Sequence, residues 1–588
     1  MRTPILPVQA RTAPESALNA LIQEGLDPEL AKIYASRGVA EIGQVTSKMK
    51  SLLHWSRLKG ASEFAVKMAD AIAAGKKIVV VADYDSDGAT SCVIAVHALR
   101  KMGAEVDFAV PNRFTHGYGL TSPVVEWVAA EMNPKIIVTV DNGISSFDGI
   151  QLAHEMGIEV FVTDHHLAGA TVPPADVIVN PNQPGCDFPS KSMAGCGVIF
   201  YAIAALKDEL LRREKLPQGF NINEYLDLVA VGTVADVVKL DDNNRMLARL
   251  GLTRIRQGRA RPGLQALFQV SRRSIQRATT KDFGFSVAPR INAAGRLDDM
   301  SIGIKCLLSE DYGQAMELAL QLDTLNVARK TIEQEMHEEA LADLADQDAT
   351  DRFSRAVFHE EFHEGVIGIV AGRIKERCHR PTIVFANGQE EGLIKGSARS
   401  IPGFNIRNGL DWVHKKNPGL IAKFGGHAMA AGLTIRKDGF AQFQESFEQV
   451  CSEWLTEEAL QRYVWVDDEL PARLMGVDTA ELLEAEVWGQ GFPEPLFCSE
   501  FQVVSQRIMK EAHLKMRLFR DGLEFDAIWF FRATPMESDR VKVVYSLATN
   551  EFRNDVTLQL MVQQAEDVFP EGHVRPAATS DALAAEPF

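Results

Sequence analysis

Three aspartates alternate in the segment VVVADYDSDGAT, at Asp83, Asp85 and Asp87, between an apolar run and a stretch of helical spacing. Three carboxylates this close repel one another unless a cation sits among them. The pattern recurs. Asp141-Asn142-Gly143 follows IIVTV, Asp164-His165-His166 follows VFVT, and Asp236 ends the apolar stretch LVAVGTVAD. Oxygen and imidazole donors without thiolate suit Mg²⁺ or Mn²⁺, and their number is enough for two divalent cations sharing one bridging carboxylate. The chemistry such a centre performs is hydrolysis of a phosphoester by water, with no protein nucleophile. The sequence offers no Gly-rich phosphate loop and no nucleophilic Ser or Cys signature that would point elsewhere.

Other readings of the same residues fit less well. A calcium loop starting at Asp83 needs a bidentate Glu at its twelfth position, which is Ile94 here, and a helix before it where an apolar strand stands. A phosphatase of the haloacid-dehalogenase type also opens on a strand and Asp-x-Asp, with Asp83 as nucleophile and Asp85 as acid. It leaves the later clusters unexplained. Any one Asp after a strand can be only a helix cap, and a His pair only surface. Four clusters at successive segment ends favour one shared metal edge.

The elements that must position them follow from periodicity. Runs at 78–82, 106–110, 136–140, 160–163 and 176–179 are short, apolar and rich in Val and Ile, as buried parallel strands are. Stretches such as ATSCVIAVHALRKMG have the length of crossover helices, so residues 76–308 read as a doubly wound α/β domain with a parallel sheet. Residues 1–75 read as an N-terminal helical region. The stretch 309–351, almost free of Gly and Pro, reads as a long linking helix, and 352–459 as a second, smaller α/β domain. Closely spaced β-rich segments over 460–565 suit a small barrel of the OB type, and 566–588 reads as a flexible tail.

Bulk properties bound the partners. At 588 residues the chain exceeds what one core of roughly 250 to 300 residues can hold. The seven cysteines form no CxxC pair, and no apolar run reaches membrane-spanning length, so a cytoplasmic protein is expected. The net charge of −17 argues against a protein that coats nucleic acid. One stretch departs from it: Asn243 to Lys281 contains no Asp or Glu but nine Arg, which is either a solvated helical face or a local basic groove.

DYDSDG, VDNG, TDHH and GTVADVV, in this order, resemble the DHH phosphoesterase family. SMAGCGVIFY, APRINAAGRLDD, EGVIGIVAGRIKER, KGSARS and FGGHAMAAG are similar to the single-stranded-DNA exonucleases within it. The resemblance implies an enzyme that hydrolyses single-stranded DNA 5′ to 3′ and releases mononucleotides, in DNA repair and recombination. The alternative is a DHH phosphoesterase acting on short oligonucleotides or pyrophosphate. A non-catalytic replication scaffold, like relatives that have lost ligands, is the rival from another class. Two divalent cations, Mn²⁺ or Mg²⁺, are implied. Asp85 and Asp141 would hold the first with Asp83 nearby, and Asp87, Asp141, His165 and Asp236 the second, making Asp141 the bridge. His166 would contact the scissile phosphate, with Asp164 behind it. Arg113, Tyr118, Arg290, Arg296, Ser397, Arg399 and His427 would line the strand path, some holding a terminal 5′-phosphate. Single-strand-binding protein and a helicase are the implied protein partners. Trp529, Phe530 and Phe531 are either stacking faces of the barrel or core. Where the family has Phe-Gly-x-Gly-Asn-Pro, this chain has Trp488-Gly489-Gln490-Gly491-Phe492-Pro493, a departure expected to touch the barrel and not the metal site.

Overall fold

The computed structural model describes residues 5–45, 52–112, 116–345, 352–552 and 555–569. The chain divides into two compact units. One comprises Thr46–Arg462 with Val487–Phe492, and the other Met1–Val45, Tyr463–Glu486 and Pro493–Phe588.

In the first unit the five apolar runs form a fully parallel sheet, Val106–Ala109, Ile78–Ala82, Ile136–Val140, Glu159–Thr163 and Val177–Val179 in spatial order. Ile78–Ala82 and Ile136–Val140 are buried along their whole length because helices cover both faces. The chain starts at Ile78–Ala82, adds Val106–Ala109 on one side, then crosses back to add the other three strands. The topological switch therefore lies between Ile78–Ala82 and Ile136–Val140, the crevice where open α/β sheets bind ligands at the carboxyl ends of their strands. Asp83 and Asp141 are the residues that leave those two strands.

The linking helix runs from Tyr312 to Ala345, about 50 Å at 1.5 Å per residue. It is fastened to both lobes of this unit. Asp323 accepts from Arg290 at 2.8 Å, and Glu333, buried beside Asn326 and Arg329, pairs with Arg373 of the second lobe. That second lobe is a mixed sheet ordered Ile421–Gly426, Ala430–Arg436, Leu393–Arg399, Thr382–Asn387, Arg355–Phe358, parallel only between its last two strands. Its core gathers around Phe385, Phe443 and Phe447.

The second unit contains a closed five-stranded barrel built from Phe497–Met509, His513–Arg520, Leu523–Trp529, Asp555–Asp567 and Arg540–Phe552. The helices Glu15–Gln23 and Pro28–Ala35 belong to it, and Arg37 there donates to Asp467 at 2.7 Å in a fully buried ion pair. Val8–Ala10 pairs in parallel with Val464–Val466, a three-residue strand with no sequence signal of its own. The N-terminal region thus parts: Ala61–Ala73 packs instead on the parallel sheet of the first unit, with Phe64 edge-on to Phe161 at 6.0 Å. Of the barrel aromatics, Phe531 is 89% exposed and Phe530 partly so, while Arg532 lies over the Trp529 ring. The tail from 570 lies outside the described residues. No helix among the described residues is long and apolar enough to cross a membrane.

Candidate active site

The first cluster is shaped by the turn from Ala82 into the helix Ser86–Lys101. Asp83 accepts the Tyr84 amide at 2.7 Å, and Asp85 caps the helix by accepting the amides of Asp87 and Gly88 at 2.9 and 3.0 Å. Gly88 is required there, since a Cβ would stand 2.4 Å from the Asp83 carbonyl oxygen. Asp87 is buried and accepts the Gly195 and Cys196 amides at 2.6 and 2.9 Å, at the amino end of the helix Gly195–Arg212. That helix comes close only because residue 195 is glycine: a Cβ would be 2.7 Å from Asp141 Cβ. Gly232 does the same for the helix Leu226–Ala235, where a Cβ would be 2.9 Å from Asp87 Oδ1.

Asp141 and Asp236 meet at His165. His165 Nε2 lies 3.0 Å from Asp141 Oδ1 and 3.5 Å from Asp236 Oδ2, yet all three atoms are buried and none has a hydrogen-bond partner. Burial, then neighbouring carboxylates with Asp87 foremost, pushes Asp141 and Asp236 well above the usual carboxylate range. Burial, then the neighbouring His166, pulls His165 down, so its imidazole is neutral. Buried polar atoms left in this state cost free energy, and a divalent cation is the group that satisfies two carboxylates and a neutral imidazole together. Donor atoms come within 4.8 Å of one another in three sets: Asp83, Asp85 and Asp141; Asp87, His165 and Asp236; Asp141, His165 and His166. The donor chemistry fits Mn²⁺ or Mg²⁺, with Asp141 common to two sets. The backbone is held out of its ordinary range at both ends, with Asp141 at φ +63° and Val237, directly after Asp236, at φ +59°. For a β-branched residue that is a strained conformation.

His166 is positioned by Asp164, which is buried and accepts from His166 Nδ1 at 2.8 Å, the His165 and His166 amides, and the Ile144 amide at 2.9 Å. Burial opposes charge on both partners, but the hydrogen bond and ion pair prevail, holding Asp164 at about 2 and raising His166 to about 9. Asn180 and Asn182 donate to the carbonyls of His166 and His165. Nε2 of His166 faces the Tyr118 hydroxyl at 3.3 Å, and the His427 ring of the second lobe stacks near it at 5.9 Å. Tyr118 is pushed well above the usual phenol range by burial of the hydroxyl and by Asp83, Asp164, Asp141 and Asp85.

The second lobe brings Ser397 and Arg399 together, with Arg399 Nη1 donating to Ser397 Oγ at 3.0 Å. Burial alone lowers the Arg399 guanidinium, with no carboxylate acting on it. Gly368, in the first turn of the helix Ile367–Cys378, faces the pair so closely that a Cβ would be 2.8 Å from Arg399 Nη2. A helix amino end, a hydroxyl and a half-buried guanidinium make an anion-receptive corner. The other arginines are differently disposed. Arg290 is engaged with Asp323 and with the Ser286 carbonyl at 2.7 Å, and Arg296 donates to the Gly365 carbonyl at 3.0 Å, joining the two lobes. Arg113 lies outside the described residues.

Sequence reasoning passed over three features. Asn292, within APRINAAGR, accepts the Ser86 amide at 2.7 Å and so steadies the aspartate turn. Gly195 and Gly232 were quoted inside motifs but given no task. The segment Val487–Phe492 corrects an expectation, because it packs on the loop after Asp236 and not with the barrel. Gln490 O accepts the Leu240 amide at 2.8 Å, Trp488 O accepts from Thr280 Oγ1 at 2.8 Å, and the Arg245 guanidinium covers the Phe492 ring at 4.1 Å. A stretch flanked on both sides by barrel-unit sequence gives no local sign of this.

Comparison with known proteins follows the same division. Residues 77–233 match the DHH family, N-terminal domain; 350–453 the DHHA1 domain; 466–564 the RecJ OB domain. The chain is 45% identical over 559 residues to the single-stranded-DNA-specific exonuclease RecJ of Haemophilus influenzae, covering 92% of this chain and 96% of that one. The Escherichia coli protein of the same name is also 45% identical, over 91% and 95%. Among solved structures, RecJ of Thermus thermophilus in complex with Mn²⁺ superimposes with a TM-score of 0.80 at 29% identity, over 97% of this chain and 81% of that one. The Mg²⁺ complex gives 0.75 at 27% identity, over 97% and 80%.

Proposed function

The chain belongs to the RecJ family of DHH proteins, and from that premise we propose how its residues carry out the family's reaction. It is a metal-dependent single-stranded-DNA-specific exonuclease. The observation that carries the mechanism is the convergence of Asp141 Oδ1, His165 Nε2 and Asp236 Oδ2, buried and without hydrogen bonds, at the switch point of a parallel sheet.

Asp83, Asp85 and Asp141 would hold one divalent cation and Asp87, Asp141, His165 and Asp236 the other, with Asp141 as the bridge. When bound, these cations supply the Lewis acidity that makes water a nucleophile at neutral pH and neutralises charge on the attacked phosphate. The remaining tasks fall to side chains. His166, held by Asp164 through Nδ1, presents Nε2 as a donor to a phosphate oxygen beside Tyr118. Ser397 and Arg399 take the terminal 5′-phosphate, where the planar guanidinium can give two hydrogen bonds. His427 closes the strand path from the second lobe. Arg290 and Arg296, given their partners, set the helix Ala288–Leu297 and the lobe junction, and reach the strand only through that placement.

By its resemblance to the family, the chain would cleave inward from a 5′ end, releasing mononucleotides, in DNA repair and recombination within the cytoplasm. Single-strand-binding protein and a helicase are the partners such a substrate calls for. The test is digestion of 5′-labelled and 3′-labelled single strands, each beside a duplex control, with Mn²⁺ and with chelator. Early release of the 5′ label, from single strands and only with metal, is expected. Early release of the 3′ label would overturn the polarity, and cleavage in chelator the metal mechanism.

A further inference from the structure

The acid-free stretch Asn243 to Lys281 has no part in the site described above, and the fold gives it a definite surface. On the helix Asp242–Arg256, Arg245 is buried against Phe492, while Arg249 and Arg256 are partly exposed on one face. Arg256 Nε donates to the Ala278 carbonyl at 2.8 Å, which draws that face beside the loop where Arg272, Arg273, Arg277 and Lys281 are all exposed. Carboxylates lie at its edge. Asp242 pairs with Arg245 at 2.6 Å, and Asp282 meets Arg273 at 3.4 Å while accepting the Thr279 amide. In a chain of net charge −17 this is a concentrated positive region.

The loop runs directly into a π-helical turn, Phe283–Val287, a geometry frequent at functional sites. Phe285 on that turn is 80% exposed, and Arg273 Nε reaches Ser286 Oγ at 3.3 Å. Gly284 faces Val234 Cγ1, two residues before Asp236, and the helix that follows carries Asn292, which steadies the Ser86 turn. The turn that carries the exposed ring therefore packs on the helix Leu226–Ala235, which Asp236 ends.

We propose that Phe285 and the Arg272, Arg273, Arg277 and Lys281 loop form a sequence-independent hold on single-stranded DNA outside the metal cluster. Phe285 stacks on a base while the basic side chains meet successive phosphates. Every base has a π-face, so one exposed ring among cations grips any sequence, as single-strand binders do. The inference rests on the reading of the chain as a single-strand exonuclease. An acidic protein segment would match the charge but offers the exposed ring no base to stack on.

The test compares Phe285→Ala and the double variant Arg272→Gln/Arg277→Gln with the wild-type chain, on oligothymidylates of about three and about twenty nucleotides. Anisotropy of the longer strand in chelator reads binding without turnover. For the longer strand, KM and dissociation constant rise roughly tenfold relative to the shorter one. In the double variant the log–log salt dependence of binding flattens by about 0.7 for each phosphate no longer neutralised. Long-strand affinity within about twofold of wild type, with an unchanged salt slope, would overturn the inference and leave the surface to an acidic protein partner. A wild-type chain that degrades neither oligonucleotide would sink the functional reading, and this hold with it.

Discussion

The two lobes of the catalytic unit are electrically unbalanced in opposite senses. In the first, Asp83, Asp85, Asp87, Asp141 and Asp236 crowd one crevice, and the imidazole among them is neutral. In the second, Arg399 is half-buried with a serine and a helix amino end for company and no acid acting on it. Each arrangement is unfavourable alone, by the desolvation of unpaired charge. On the proposed reading, a phosphodiester strand with divalent cations would satisfy both, cations at one lobe and terminal phosphate at the other. On that same proposed reading, the chemical step falls to the first lobe and the choice of strand end to the second.

Removing the cations tests the first half most severely: with chelator, nucleotide release should fall to background and return on adding Mn²⁺. Persistent release would mean that the carboxylates do not work through metal. Asp141→Ala should lower kcat at least ~10²-fold, the scale of losing one stabiliser of the transition state, with an unchanged far-ultraviolet spectrum. Near-wild-type turnover would remove Asp141 from the bridge.

On the other side of the comparison, Arg399→Ala should act mainly on KM and on the preference for a 5′-phosphate over a 5′-hydroxyl, and should flatten the salt dependence by about 0.7 in the log–log slope. A fall in kcat alone would place Arg399 in the chemical step. Arg399→Lys keeps the charge but loses the planar fork, so its effect on KM should be smaller than that of the alanine variant, within about tenfold of wild type. Equal losses in both variants would mean that geometry, and not charge, makes the corner.

Most of the first lobe was legible because its ligands are local events. Each follows a strand of recognisable composition, and parallel topology brings strand ends together without further instruction. The division of labour proposed for His165 and His166 was accessible only through resemblance, since adjacent imidazoles look alike until Asp164 is seen to engage one of them. What stayed hidden acts at long range. Asp87 sits 108 residues from the Gly195 amide it accepts, and Arg290 33 residues from Asp323. No periodicity reports such a pair. A glycine chosen for nearness to a carboxylate looks like any other glycine, and a three-residue strand such as Val8–Ala10 exists only because Val464–Val466 pairs with it.

The short segment Val487–Phe492 bears on how this enzyme can be divided. Because those residues seat against Leu240, Thr280 and Arg245 of the catalytic unit, the nuclease is not a continuous stretch of polypeptide. A fragment ending at Arg462 would keep every carboxylate and imidazole of the crevice. It would strip the Leu240 amide, shortly after Asp236, and the Thr280 hydroxyl of their acceptors. A minimal nuclease would therefore need the stretch 487–492 returned to it, by a linker or as a separate peptide.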